Sequence, residues 1–128
     1  MAVHSKYTDD WKHTQLLSGQ PLHFPQSLSA DMRWIPFDWL EEATSKGVKI
    51  DIEHAVIDGF VGNFLPLDLK YFIFTEEVCI KDSEVLEAID FSHAMFQRLL
   101  NLEGTTFNKR VKFYENRVGP AQDIDSAT

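Results

Sequence analysis

Between Lys81 and Gly104, apolar residues recur at spacings of three and four. Read as a helix, this stretch sets Val85, Ile89, Phe96, Leu99 and Leu100 on one face, and Glu87, Asp90, Gln97, Arg98 and Asn101 on the other. Asp82 or Ser83 supplies a first-turn cap, Glu84 and Glu87 place negative charge near the positive end, and Gly104 provides a left-handed stop. The pattern predicts a long amphipathic helix over about 82–103.

Shorter elements surround it. Thr8 caps a helix that starts at Asp9 and Asp10, carries Trp11, Leu16 and Leu17 on its apolar side and stops at Gly19. Pro21 and Pro25 mark an extended connector, because proline withholds a donor. Pro36 suits the first position of a second helix, reaching about Lys46 and stopped by Gly47. Beyond it Val48, Ile50 and Ile52 alternate with Lys49, Asp51 and Glu53, as in a half-buried strand. Asp58–Gly59, between Val56–Ile57 and Phe60–Val61, predicts a hairpin; Ile52, Val56 and Phe60, spaced by four, offer a helix instead. Leu69 to Thr75 reads as a central strand, with Val78 to Ile80 continuing the sheet. Phe107, Val111, Tyr114 and Val118 predict a last helix over 106–118, ended by Gly119–Pro120, with Phe113 on its outer face; a strand, with Phe107, Val111 and Phe113 sharing a face around Lys109, is the poorer alternative. No internal repeat is evident. The expected fold is therefore α+β: a small, mainly antiparallel sheet packed on the 82–103 helix, with N- and C-terminal helices flanking it. Residues 1–120 are expected to form one globular domain and 121–128 a disordered tail.

Composition narrows the class. With 44% hydrophobic and 12% aromatic residues, the 128-residue chain is too apolar for intrinsic disorder. No apolar run approaches the roughly 20 residues of a membrane-spanning helix, and Met1 to Asp10 lacks the apolar core of a secretory leader. Cys79 is the only cysteine, which leaves no disulfide within the chain and no multi-cysteine zinc site; a reduced, cytoplasmic setting is expected.

Charge changes the picture most. The chain carries a net −8, and between Asp38 and Asp90 thirteen acids face only Lys46, Lys49, Lys70 and Lys81. Such a region disfavours a phosphate backbone, which demands Lys and Arg, and favours a basic protein steered by the opposite potential.

Strong catalytic signatures are missing from the sequence: it has no Walker or dinucleotide glycine loop, no HExxH, no G-x-S-x-G and no EF-hand loop. Asp51, Glu53, His54 and Asp58 form a metal constellation only if that region is helical; as a strand, they diverge. Ser92 and His93 are adjacent, hence about 100° apart on a helix, and His93 reads as a packing residue. Cys79, among apolar neighbours and acids, reads as inert. Glu41–Glu42 and Glu76–Glu77 read as surface acids. Trp34, Phe37 and Trp39 beside Arg33 are interface-type residues, though rings of that size more often pack a segment over a sheet. No catalytic residue, metal or cofactor is expected.

The function expected from these features is a small protein-binding module that binds and neutralises a basic partner. Its contact residues would be Asp51, Glu53, Glu76, Glu77, Glu84, Glu87 and Asp90. In size and charge alone, the chain is similar to small acidic immunity proteins, which block a cognate toxin, often a nuclease. One alternative is a small enzyme or ligand-binding protein with a pocket between the sheet and the N-terminal aromatic segment, using His23, His54 and Arg33. Another is an accessory subunit of a mobile genetic element with Phe113 at an oligomer contact.

Overall fold

The computed structural model describes residues 6–59 and 67–118. The N-terminal part runs α1 (Asp9–Leu17), β1 (Leu22–His23), β2 (Trp34–Pro36), α2 (Phe37–Lys46), β3 (Ile50–Glu53) and β4 (Val56–Asp58). It continues with β5 (Leu67–Asp68), β6 (Ile73–Phe74), β7 (Val78–Lys81), β8 (Glu84–Val85) and β9 (Ile89–Asp90). The last strands are β10 (Met95–Phe96), β11 (Leu100–Asn101), β12 (Thr106–Phe107), β13 (Val111–Lys112) and β14 (Arg117–Val118).

These strands form four sheets, every pairing among the described residues is parallel, and each strand pairs with the one a coil away. The chain is thus a four-sided parallel β-solenoid. Sheet A is β1-β3-β7-β11, sheet B β2-β4-β8-β12, sheet C β5-β9-β13 and sheet D β6-β10-β14. Val78 sits under Leu100, Glu84 under Thr106, Ile89 under Val111 and Met95 under Arg117, so each of these later coils takes 22 residues, whereas Ile50 to Val78 spans 28. Each coil divides again into two 11-residue halves. Apolar or small residues occupy positions one, three, six and eight of each half, as in Ile89, Phe91, Ala94 and Phe96, and then Leu100, Leu102, Thr105 and Phe107. Position five is a left-handed corner every time: His54, Tyr71, Asp82, His93, Gly104 and Glu115 all have φ between 51° and 73°. A side chain other than glycine is disfavoured there, so the coil geometry imposes the bend.

The expectation of an α+β fold with an antiparallel sheet and a long helix is overturned. Residues 82–103 form β8 to β11, and 106–118, expected as a helix, form β12 to β14. The cause is a coincidence of periods. The face-centre residues Val85, Ile89, Phe96, Leu100, Phe107 and Val111 are separated by four and seven, summing to 11, and an α-helix also returns to one side after four, seven and eleven residues. Phe91 and Leu102 distinguish the two readings: a helix would turn them to its polar side, whereas both are buried. Phe113, expected outside, is half-buried and stacks on Phe91 at 5.0 Å. The repeat missing from the sequence reading is this 11-residue unit, which keeps positions rather than residue identities.

The N-terminal expectations fare better. Thr8 Oγ1 caps α1 by accepting from the Trp11 amide at 3.1 Å, and Gly47 ends α2 in the left-handed region. The alternation of 50–53 is real, with Ile50 and Ile52 inward. The predicted hairpin at Asp58–Gly59 is not the pairing of its first arm, since Val56–Asp58 pairs in parallel with Trp34–Pro36 and Val56–Ile57 with Glu84–Val85. Its second arm, Phe60–Val61, lies outside the described residues, as does the predicted tail. Of the central strand expected over 69–75, only Ile73–Phe74 is extended; Leu69 and Tyr71 approach a corner.

After β2 the chain passes into α2 and rejoins sheet A at Ile50, so α2 replaces the C and D sides of the first coil. Phe37, Leu40, Ala43 and Thr44 of α2 are buried. A terminal helix of this kind caps the open core end that every stacked-repeat protein must protect. Among the described residues the core around Leu40, Ile57, Phe74, Val85 and Leu102 retains about 30 Å³. That is no ligand channel.

Candidate functional site

Alternation sends every second strand residue outward, so the four sides are the surfaces available to a partner. On side A, Asp51, Cys79 and Asn101 form one outward row, and His23, Glu53 and Lys81 the next. His23 Nε2 meets Asp51 Oδ1 at 2.7 Å, and Lys81 Nζ lies 3.9 Å from Glu53 Oε2. At the A/B corner Asp82 leans over Gly104, and the Asp82 amide donates to the Glu103 carbonyl at 3.0 Å. On side B, Glu84 accepts from Asn108 at 2.8 Å, and Asp58 from the Trp34 indole at 3.3 Å. Glu87, at the far edge of B, pairs with Lys109 at 2.9 Å.

Five of the seven expected contact residues, Asp51, Glu53, Glu77, Glu84 and Glu87, therefore lie on or bordering sides A and B. The other two do not join them. Glu76 stands where D turns into A, 3.8 Å from Arg98. Asp90 is on side C, where hydrogen bonds from the Ser92 side chain and amide, with Lys112 and Lys70 nearby, hold its carboxyl below the ordinary range. Most of the seven already have a partner, but Glu77, and with it Asp82 and Glu103, which the sequence reading did not select, make no ion pair among the described residues. Their signal was the shared repeat position of Glu53, Lys81 and Glu103, invisible until the register is known.

Sides A and B are acid-rich. Asp51, Glu53, Glu77, Asp82 and Glu103 face only Lys49 and Lys81 on A, and Asp58, Glu84 and Glu87 face Lys109 on B. Side C is mixed: Asp68, Lys70, Asp90, Arg110 and Lys112 line an open groove of about 460 Å³. On side D, Ile73, Thr75, Met95 and Gln97 are the outward residues of two rungs, and Arg117 stands in register with Met95 on the third. Along the C/D corner Tyr71 stacks on His93 at 4.9 Å, and Tyr114 meets His93 edge-on at 5.5 Å. Tyr71, Ile73 and Tyr114, respectively 69%, 53% and 62% exposed, are the large exposed hydrophobics among the described residues.

The remaining candidates make contacts within the fold. Among the described residues no group of three or more His, Cys, Asp and Glu is placed to hold a metal. Asp51 and Glu53 point out from side A, Asp58 from side B, and His54 turns its Nδ1 to the Phe24 carbonyl at 3.2 Å. Arg33 is spent on the Leu28 and His54 carbonyls at 2.8 and 3.0 Å. Burial, then Asp51 and Glu77, push the Cys79 thiol up and keep it protonated. Trp34 and Trp39 meet edge-on at 5.8 Å, with the 1%-exposed Lys12 between α1 and the sheet. Lys12 Nζ donates to the Trp34 carbonyl at 2.7 Å, lies 3.4 Å from Asp9 and faces both indoles. The aromatic segment thus fastens the cap to the solenoid, as large rings commonly do. No helix among the described residues is long and apolar enough to cross a membrane.

No family model, no curated protein and no solved structure matches the chain.

Proposed function

We propose that this chain is a protein-binding module that engages and neutralises a basic protein partner through the acid-rich corner between sides A and B. One observation carries the reading: carboxylates outnumber lysines on these two adjoining sides, and Glu77, Asp82 and Glu103 make no ion pair among the described residues. A rigid solenoid side holds such charges at fixed spacings of about 4.8 Å from rung to rung, so a complementary surface loses little freedom on docking. Opposite charge speeds the encounter and sets register, and a cognate toxin is one partner of this character. Loss of contact to the cytoplasm's many other basic proteins would follow from the shape of the corner, not from charge alone.

The test is retention of a basic protein from the native host at low salt, repeated at high salt and with Asp82→Lys/Glu103→Lys. Retention should fall by at least about tenfold with salt, and equally in the variant at low salt. Binding of equal strength at both salt levels sinks the proposal.

A further inference from the structure

We propose that the groove on side C binds a nucleoside monophosphate, with the phosphate held by Arg110 and Lys112 and the base laid against Tyr114. The groove follows from the register. On the middle coil of this side Ala88, Asp90 and Ser92 are short, whereas the coil above them carries Arg110, Lys112 and Tyr114, and the coil below Asp68 and Lys70. Longer side chains one rung away on either hand, about 4.8 Å off, wall a trough over Ala88 and Ile89. Its volume of about 460 Å³ is that of a small-molecule site.

The side chains select the ligand. Lys70, Arg110 and Lys112 against Asp68 and Asp90 give the groove a balance of +1, in a chain of net −8. Both acids are already engaged: Asp68 lies 3.8 Å from Lys70, and Asp90 accepts from the Ser92 amide at 2.9 Å. Of the acids at the borders, Glu87 pairs with Lys109 and Glu115 lies 3.4 Å from His93 Nδ1. Arg110 and Lys112 make no ion pair among the described residues. They are alternate exposed residues of one extended run, about 6.7 Å apart, so both heads reach a single phosphate, Arg110 with its planar fork and Lys112 as a point charge. Tyr114 is the next exposed residue of that run, 62% exposed and perpendicular to His93, so its ring surface is largely open. The step from Lys112 to Tyr114 is again about 6.7 Å, which one ribose bridges between phosphate and base. Any base can stack there, since each has a π-face. A free nucleotide suits the groove better than a strand, because a longer phosphate backbone running on to side B meets Glu84 and Glu87. The site lies away from the acidic corner and does not rest on the partner proposed above.

Amide NMR titration of the full chain at low ionic strength tests this, with adenosine monophosphate, uridine monophosphate, inorganic phosphate and adenosine as probes. Both nucleotides should bind with a Kd below about 1 mM, at least about tenfold tighter than phosphate or adenosine alone. Arg110→Gln/Lys112→Gln should weaken adenosine monophosphate at least about tenfold. Lys46→Gln/Lys49→Gln removes the same charge from exposed positions elsewhere and should change its affinity less than about twofold. Tyr114→Ser should bring the nucleotide down to the affinity of phosphate and leave phosphate binding as it was. Far-UV circular dichroism and the urea midpoint confirm that each variant is folded. The inference is overturned if neither nucleotide binds, if phosphate binds as tightly as the nucleotides, or if binding survives in folded Arg110→Gln/Lys112→Gln. An RNA of about ten nucleotides that binds more than about tenfold tighter than the monophosphates makes a strand the ligand and overturns it too.

Discussion

Removing the hydroxyl of Ser83 or Thr105 tests how the A/B corner is held. Both residues are buried, at 5% and 0% exposure, and each stands at position six of a half-coil, directly after the left-handed corner. The Ala55 amide donates to Ser83 Oγ at 3.0 Å, and the Ser83 amide to Thr105 Oγ1 at 3.3 Å. Each hydroxyl then donates onward, Ser83 to the Lys81 carbonyl at 2.9 Å and Thr105 to the Ile80 carbonyl at 2.6 Å. The side chains bridge the coils where the corner interrupts the backbone ladder. Thr105→Val keeps the volume but strips the Ser83 amide of this acceptor, and Ser83→Ala does the same to the Ala55 amide. An orphaned buried donor costs about 1–3 kcal/mol, so each variant should lose about 2 kcal/mol. Against a total of about 5–15 kcal/mol for a small domain, that is a large share. The two sites share Ser83, so the double variant should depart from additivity by about 0.5 kcal/mol or more. Equilibrium urea unfolding followed by circular dichroism measures all three, with exposed Ser45→Ala as a neutral reference. If both single variants unfold within about 0.5 kcal/mol of wild type, these hydroxyls do not hold the corner and the reasoning is wrong.

Gly104 should resist substitution for two reasons: its φ is +73°, and a Cβ there runs into Asp82 Oδ1. Gly104→Ala should cost about 1–2 kcal/mol in the same urea assay, and pairing it with Asp82→Ala should recover part of the loss. Lys12 gives a pH signature. Burial lowers its ammonium below the ordinary value of 10.5, with Asp9 opposing, so the unfolded chain holds this proton more tightly than the folded one. Lys12 therefore makes stability rise as pH climbs from its folded value to 10.5, and the difference between wild type and Lys12→Met should move in wild type's favour over that window. Asp90 acts at the other end: its lowered carboxyl adds stability above the ordinary 3.8 that is lost as pH falls through the folded value, and Asp90→Asn should flatten that acid limb.

What residues decide with their immediate neighbours was legible in the sequence. Thr8 before Asp9, Gly47 after Lys46 and the alternation of Ile50 to Glu53 specify a cap, a stop and an extended run, because each acts within a few residues along the chain. Spacing alone left the rest ambiguous. Steps of four and seven suit a helix and an 11-residue half-coil equally, and only the burial of Phe91 and Leu102, with the stacking of Phe113 on Phe91, separates them. Strands of two residues lean on partners 22 positions away, so the coil, rather than any local propensity, makes them extended and forces Tyr71, His93 and Glu115 into left-handed corners. Net charge and its central excess were fixed by composition. Tertiary structure decided which carboxylates share a side, leaving Asp82 and Glu103 beside Glu53 and carrying Asp90 away, because each outward position is set by its place in the coil.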